Sequence, residues 1–266
     1  MSSHRPTLPP ELVREVVQYI EASQDLFRLV ALSEVWRREV ERSLYSSVVL
    51  MKWSPKKQQL TPAHLLTLCP RVGPIVTSLD AGTIHKTCKN LIQILGSLPN
   101  LRRLRMEFRS GYLGLKLSRF IPEAVPFSLR SFTTNHNGSK ELLDFLKTQQ
   151  DIEELDLTYS SIDYSSFPRP EPEEFHRLRI LKSADLNTTL RILRGQKIIH
   201  LSYLGLYSTL SWSAFAGNIF PTITSLAVRS RGSLDGLAPS FPNVTHITVY
   251  LASLPTSHLM AQSDLT

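Results

Sequence analysis

Cysteine is nearly absent: Cys69 and Cys88 are the only two in 266 residues. That excludes a scaffold built on disulfides and makes cytosol or nucleus the expected address. No apolar run is long enough to span a bilayer, so no membrane partner is expected. The opening Met1-Ser2-Ser3-His4-Arg5-Pro6 lacks the apolar stretch of a secretory signal. The usual catalytic strings are missing too, with no Gly-rich phosphate loop, no H-E-x-x-H and no G-x-S-x-G. His64, Cys69, His85 and Cys88 come nearest to a metal set, but neither pairing has finger spacing. His176, His200 and His246 stand singly near expected strands, where a lone histidine is a surface or capping residue. No acid and base pair off, so neither a cofactor nor catalysis is expected of this chain.

Acidic residues are in deficit, 23 against 30 Lys and Arg, for a net charge of +7. The excess gathers between Leu101 and Arg130, where Arg102, Arg103, Arg105, Arg109, Lys116, Arg119 and Arg130 meet only Glu107 and Glu123. Such a patch suits an acidic or phosphorylated partner, a polyanion, or a plain solvated surface. Interleaved aromatics and a recognised reading motif are missing, so nucleic acid ranks last among the partners. With 42% hydrophobic and 20% charged residues, the chain can bury one large core, or a small module beside a larger one.

What is present begins in the first fifty residues. Leu8-Pro9-Pro10-Glu11-Leu12 opens an apolar helix face continued by Val16, Val17 and Ile20. Pro9 and Pro10 suit a first helical turn, where a missing N–H costs nothing, and Glu11 faces the positive helix end. Asp25 reads as the N-cap of a second helix carrying Leu26, Leu29 and Leu32, and Trp36 leads a third stretch with Arg37, Arg38 and Arg42. Helices this short cannot bury so many apolar positions among themselves, which leaves surface for a partner.

These residues resemble the F-box motif: Leu8-Pro9-x-Glu11-Leu12, Val16, Ile20, then Asp25-Leu26-x-x-Leu29-x-x-Leu32-Ser33-x-x-Trp36. Val16, Ile20 and Leu32 are mild departures from it. The resemblance implies helices that dock on a Skp-type adaptor and through it on a cullin–RING scaffold. It implies Leu8, Pro9, Leu12, Val16, Ile20, Leu26, Leu29, Leu32 and Trp36 as the adaptor contacts, with Trp36 the leading anchor.

Ser46 to Met51 reads as a short strand and Trp53-Ser54-Pro55-Lys56-Lys57 as part of a linker over residues 51–62. From there the pattern is an apolar residue, two variable positions, a second apolar residue, one variable position and a third. It runs through strings starting at Val76, Leu101, Leu129, Ile152, Leu178, Leu201, Ile223 and Val244, at intervals of twenty-odd residues. A helix is expected before the first of them at Ala63–Leu68, and others between them at Asn90–Leu98, Lys140–Gln149, Thr188–Leu193 and Ser213–Ile219. Several strings share a lead-in, as in Leu98-Pro99-Asn100, Phe220-Pro221-Thr222 and Phe241-Pro242-Asn243.

That period resembles leucine-rich repeats. The family's Asn after the strand would fall on Arg109, Asn137, Ser160, Leu186, Thr209, Arg231 and Ala252, and only Asn137 matches. Tyr164 to Glu174 reads as an inserted surface loop, and Ser257 to Thr266 as a disordered polar tail. The two resemblances imply an α/β chain: a small all-α F-box-like helical module over residues 1–50, then a solenoid over 63–256. The solenoid would have about eight units, with parallel strands on its concave face and helices or irregular segments on its convex face.

Strand alternation sends the three apolar residues inward and the residues between them outward. The outward row takes in Ser78 and Asp80, then Arg103, Arg105, Glu107, Ser131 and Thr133. It continues through Glu154, Asp156, Thr158, Lys182, Tyr203, Tyr207, Ser225, Arg229, His246, Thr248 and Tyr250. On the resemblance, Arg103, Arg105, Ser131, Thr133, Glu154, Asp156, Lys182, Tyr203 and Tyr207 are the candidate substrate contacts. Arg103 and Arg105 beside Ser131 and Thr133 suit a phosphate or carboxylate, since guanidinium matches either bidentately. The implied role is the substrate receptor of an SCF-type ubiquitin ligase; an interaction scaffold unconnected with ubiquitin is the alternative.

Overall fold

The computed structural model describes residues 8–20, 23–50, 62–84, 90–109, 116–122, 124–136, 140–157, 175–184, 186–193, 196–203, 218–230 and 237–251. Of the expected linker over residues 51–62, all but Pro62, the first residue of a helix, lies outside these, as do the insertion at Tyr164–Glu174, the Asn137 position, the tail from Ser257 and most of Ser213–Ile219.

The chain opens with three helices. In α1 (Pro10–Gln18), Pro10 takes the first helical position and Pro9 the cap, at φ −55 and ψ 144. α2 (Ser23–Leu29) corrects one expectation. It begins at Ser23, so Asp25 is not its cap but lies in the first turn, 3.3 Å from Arg28 and still facing the positive end. α3 (Glu34–Tyr45) is capped by Ser33, whose Oγ accepts the Trp36 N–H at 3.4 Å. The Ser-x-x-Trp string therefore has a local cause: the serine satisfies a backbone donor at a helix start.

These helices hold an apolar cluster of their own, Val13, Val17, Leu26 and Val40, with Ile20, Leu29, Val35, Trp36 and Leu44 packed at its margin. The buried Glu39 joins α1 to α3 by accepting from Arg14 Nε at 3.0 Å, and Arg42 Nη1 lies 3.3 Å away.

Among the other described residues, nine strands form one sheet, all parallel, side by side in chain order. They are β1 (Ser47–Val49), β2 (Ser78–Ile84), β3 (Arg103–Phe108), β4 (Ser131–Thr134) and β5 (Glu154–Leu157). Then come β6 (Ile180–Ser183), β7 (His200–Tyr203), β8 (Ser225–Ser230) and β9 (His246–Leu251). Parallel neighbours need crossovers, and α4 (Pro62–Val72), α5 (Leu91–Gly96), α6 (Lys140–Thr148), α7 (Leu186–Leu193) and α8 (Leu237–Ser240) lie within them. Helices α4 to α7 fall where the sequence pattern predicts them.

β1 comes directly after α3, where the sequence reads a short strand at Ser46–Met51; because it is the first strand of the sheet, the sheet begins inside the segment 1–50 assigned to the helical module. Val48 pairs with Leu79 as Leu79 pairs with Leu104. Tyr45-x-x-Val48-x-Leu50 thus follows the same grammar as the later strings.

One face of the sheet builds the main core. Leu79, Leu104, Phe132, Leu155, Leu181, Leu201 and Leu226 form one buried row across consecutive strands. Helix residues such as Leu65 and Val72 of α4, Ile94 of α5 and Leu146 of α6 pack against it. Neither strand nor helix could bury its apolar side alone; stacking makes the core continuous. The crossovers are drawn in tightly at Gly73, where a Cβ would stand 2.3 Å from the Ser97 carbonyl oxygen.

A second row ties the units together ahead of each strand. Single carbonyls accept two successive N–H groups from the next unit: Thr77 from Arg102 and Arg103, Arg102 from Arg130 and Ser131, Arg130 from Glu153 and Glu154. The lead-in asparagines act alongside, with Asn100 Nδ2 donating to the Pro74 carbonyl at 2.7 Å and Asn243 Nδ2 to the Pro221 carbonyl at 2.8 Å.

Candidate binding surfaces

Two surfaces stand out, one on α1 and one at the sheet. On α1 the apolar residues divide into two stripes. Val13 and Val17, four apart, are 1% and 2% exposed in the helical cluster. Leu12 and Val16, the other pair four apart, are 47% and 43% exposed. A helix turns about 100° per residue, so a one-residue offset moves the side chain to another face. Leu8 and Pro9 ahead of the helix, Tyr19 at its end, Phe27 on α2 and Leu32 after it are exposed as well.

The nine residues singled out as adaptor contacts therefore separate. Leu8, Pro9, Leu12, Val16 and Leu32 are exposed; Ile20, Leu29 and Trp36 are partly buried at the margin of the cluster. Leu26 is a correction: at 5% exposure it is part of the cluster itself, because the first turn of α2 points it at α3. Tyr19 and Phe27 are exposed apolar residues that the sequence reading did not single out, and Tyr19, seven residues after Leu12, falls on the same helical face.

The sheet face opposite the core carries the outward row. Arg103 lies level with Ser78 on one side and Ser131 on the other, and Ser131 with Glu154. One residue pair further along, Arg105 lies between Asp80 and Thr133, and Asp156 beside Lys182. These side chains interact laterally. Lys182 Nζ is 2.6 Å from Glu154, and Ser131 Oγ donates to the other Glu154 oxygen at 3.0 Å. Burial pushes the Glu154 carboxyl up, but Lys182, Ser131 and the charge of Arg103 outweigh it and hold the group below its ordinary value. His200 on β7 faces this cluster, its Nδ1 2.8 Å from Ser225 Oγ. Its pKa is lowered by burial and by Lys182, with Glu154 opposing.

Two expectations for this row need correction. Arg105 does not stand beside Arg103 ready for a ligand: it pairs with Glu107 on its own strand, and Asp80 is 3.9 Å away. Tyr203 is not on the outward row; it is 2% exposed and lies level with the buried Ser183. The reason is a slip of phase. Leu201-x-x-Leu204-x-Leu206 and Ile198-x-x-Leu201-x-Tyr203 overlap, and the register Leu181 with Leu201 selects the second. His200, read from the sequence as a surface or capping residue, takes the corresponding outward position at the start of β7. Tyr207 and Thr158 lie outside the described residues. The open face is limited at its far end, since Ser202 of β7 and Ala227 of β8 are buried on it.

Where β1 to β6 begin, an open groove of about 780 Å³ crosses the strand ends. It is lined by the first residue of each strand and, for β1 to β5, by the residue just before it. Its β1 and β2 end offers hydroxyls, from Ser46, Ser47, Thr77 and Ser78; its middle offers Arg102, Arg103 and Arg130; its last part offers Glu153 and Glu154.

No described helix is long and apolar enough to cross a membrane. Among the described residues no group of three or more His, Cys, Asp or Glu is placed to hold a metal ion. His85 and Cys88 lie outside those residues. No protein-family model matches the chain, and no curated protein is significantly similar to it.

Proposed function

We propose that this chain is the substrate-receptor subunit of an SCF-type cullin–RING ubiquitin ligase. Its N-terminal helices are read as an F-box that docks on a Skp-type adaptor, and its sheet as an irregular leucine-rich repeat solenoid that holds a protein substrate. One observation carries the reading: α1 closes its helical cluster with Val13 and Val17 while Leu12 and Val16 stay at the surface, in line with the exposed Leu8 four residues before Leu12. Three short helices that already own a core have no internal use for a second apolar stripe. A contiguous row of that kind marks a protein contact.

The chain itself supplies no chemistry in this scheme. It works by position: one end binds the adaptor, the other keeps a substrate near the ubiquitin-charged conjugating enzyme, which raises effective concentration. Two links make the intervening lever stiff. α3 leads into β1 with one residue between, and Arg71 of α4 lies 3.2 Å from the buried Glu41 of α3. The setting is cytosol or nucleus, where such ligases operate.

The test is co-purification with a Skp-type adaptor. The intact chain is expected to retain the adaptor, and Leu8→Ala with Pro9→Ala to lose it without a change in thermal midpoint, because both residues are exposed. Failure of the intact chain to bind any Skp-type adaptor would favour the interaction-scaffold alternative.

A further inference from the structure

The groove across the strand starts has a charge pattern that the outward row alone does not reveal. Of its acids, Glu154 is already engaged by Lys182 at 2.6 Å and by Ser131 at 3.0 Å. Glu153 is only 4.0 Å from Arg130, an exposed and loose pair. Of its bases, Arg102 donates to the Ser128 carbonyl at 3.0 Å, and Arg103 has no ion pair within 4.0 Å among the described residues. The charge not matched inside the groove is therefore positive and lies at β3 and β4. Hydroxyls flank it, with Ser78 level with Arg103 on β2 and Ser131 on β4.

We propose that this groove takes an extended peptide segment bearing an oxyanion side chain, phosphorylated or carboxylic, seated at Arg102, Arg103 and Arg130. The proposal rests on reading the sheet as a receptor surface and names the ligand class for it. Shape argues for a peptide. The groove is open and long: from β1 to β6 at strand spacing is about 24 Å, the reach of roughly seven extended residues. A small molecule favours an enclosed pocket that buries most of its surface. Chemistry argues for the oxyanion, because a guanidinium fork meets a phosphoryl or carboxylate group with two parallel hydrogen bonds. Single-stranded nucleic acid would want aromatic platforms for its bases, and the described lining holds none. The lever thus places its anion seat two to three strands from the helical end.

The experiment is fluorescence anisotropy on the full chain with three degenerate nonapeptide pools, fixed at the centre as phosphoserine, glutamate or serine. Binding of the phosphoserine pool about tenfold tighter than the serine pool is expected. Arg103→Glu should remove that preference and Arg103→Lys weaken it about threefold. Arg38→Glu, on the surface of α3 and outside the groove lining, should leave it intact. Arg103 is exposed, and an unchanged thermal midpoint checks that its variants fold. A glutamate pool equal to the phosphoserine pool supports the same seat and assigns it to carboxylates. Equal binding of all three pools, indifference to Arg103→Glu, or tighter binding of a nine-nucleotide single-stranded RNA pool would overturn the proposal. Adaptor binding measured on the same samples separates the two readings. Lost peptide selectivity with adaptor retained defeats this inference alone, and the reverse defeats the receptor-subunit reading alone.

Discussion

The helical unit and the sheet treat their apolar residues differently. Along β3 to β5 the alternation is strict: Leu104, Met106, Phe132, Leu155 and Leu157 are buried, and the residues between them are polar. Along α1 the apolar content exceeds what the helix buries, and Leu12 and Val16 are left outside. A strand has two faces, so a polar residue at every second place completes the job. A helix presents a whole circumference, and a second apolar stripe on it needs a second thing to cover it. The difference marks α1 as an unfinished surface and β3 to β5 as a finished one whose open side is tuned by charge, while β9 at the sheet's edge leaves Ile247 and Val249 exposed.

Three sets of variants break or sharpen this contrast. The largest effect is expected from moving a charge pair by one residue around α1. Val13→Asp with Val17→Asp places two carboxylates in the helical cluster and should unfold α1 to α3, at more than about 4 kcal/mol. Circular dichroism and limited proteolysis read that loss. Leu12→Asp with Val16→Asp should leave both signals unchanged yet weaken adaptor binding at least about a hundredfold, since each side chain would sit at the centre of the contact. Equal destabilisation by the two pairs would erase the distinction between the stripes.

Next in size is the sheet core. Leu155→Ala should cost about 2–5 kcal/mol in a denaturant midpoint, because Leu155 is fully buried and its neighbours on β4 and β6 hold their places. Thr133→Ala, one strand away on the open face, should stay within about 0.5 kcal/mol.

The smallest effect concerns pH. The pKa of His200 is depressed below 6.5, so its contribution to stability is present above that value and is lost as pH falls through the folded pKa. Glu154 is depressed below 4.5, and its contribution is lost in a lower window with the same sign. His200→Gln should flatten the upper part of the stability curve, by under about 1 kcal/mol because solvent screens this half-buried site. Lys182 and Glu154 are the charged groups that act on the imidazole. An unaltered curve would remove His200 from the cluster.

Much of the strand order was legible because the x-x-apolar-x-apolar grammar is set by alternation, which any strand of a one-sided sheet must obey. The two lapses came where the grammar is ambiguous or interrupted. At Leu201 two strings overlap, and only pairing with Leu181 shows which one is the strand, moving Tyr203 to the core and His200 to the outward row. At Tyr45-x-x-Val48-x-Leu50 the strand itself is read from the sequence, but its place directly after a helix hides that it is the first unit of the sheet. Lateral charge pairing was beyond the sequence. Asp80 and Glu107 lie on different strands around Arg105, and no local spacing announces both. The helical stripes were half legible: the sequence showed too many apolar positions, and only packing against Val40 shows which pair is sealed.

The central claim is that the outer stripe of α1 is covered by an adaptor, and side-chain footprinting tests it most directly. With a Skp-type adaptor added, Leu12, Val16, Tyr19 and Leu32 should become protected from hydroxyl-radical oxidation, while Phe132 in the sheet core stays unreactive in both states. Unchanged labelling of all four with the adaptor present at saturating concentration would contradict the account.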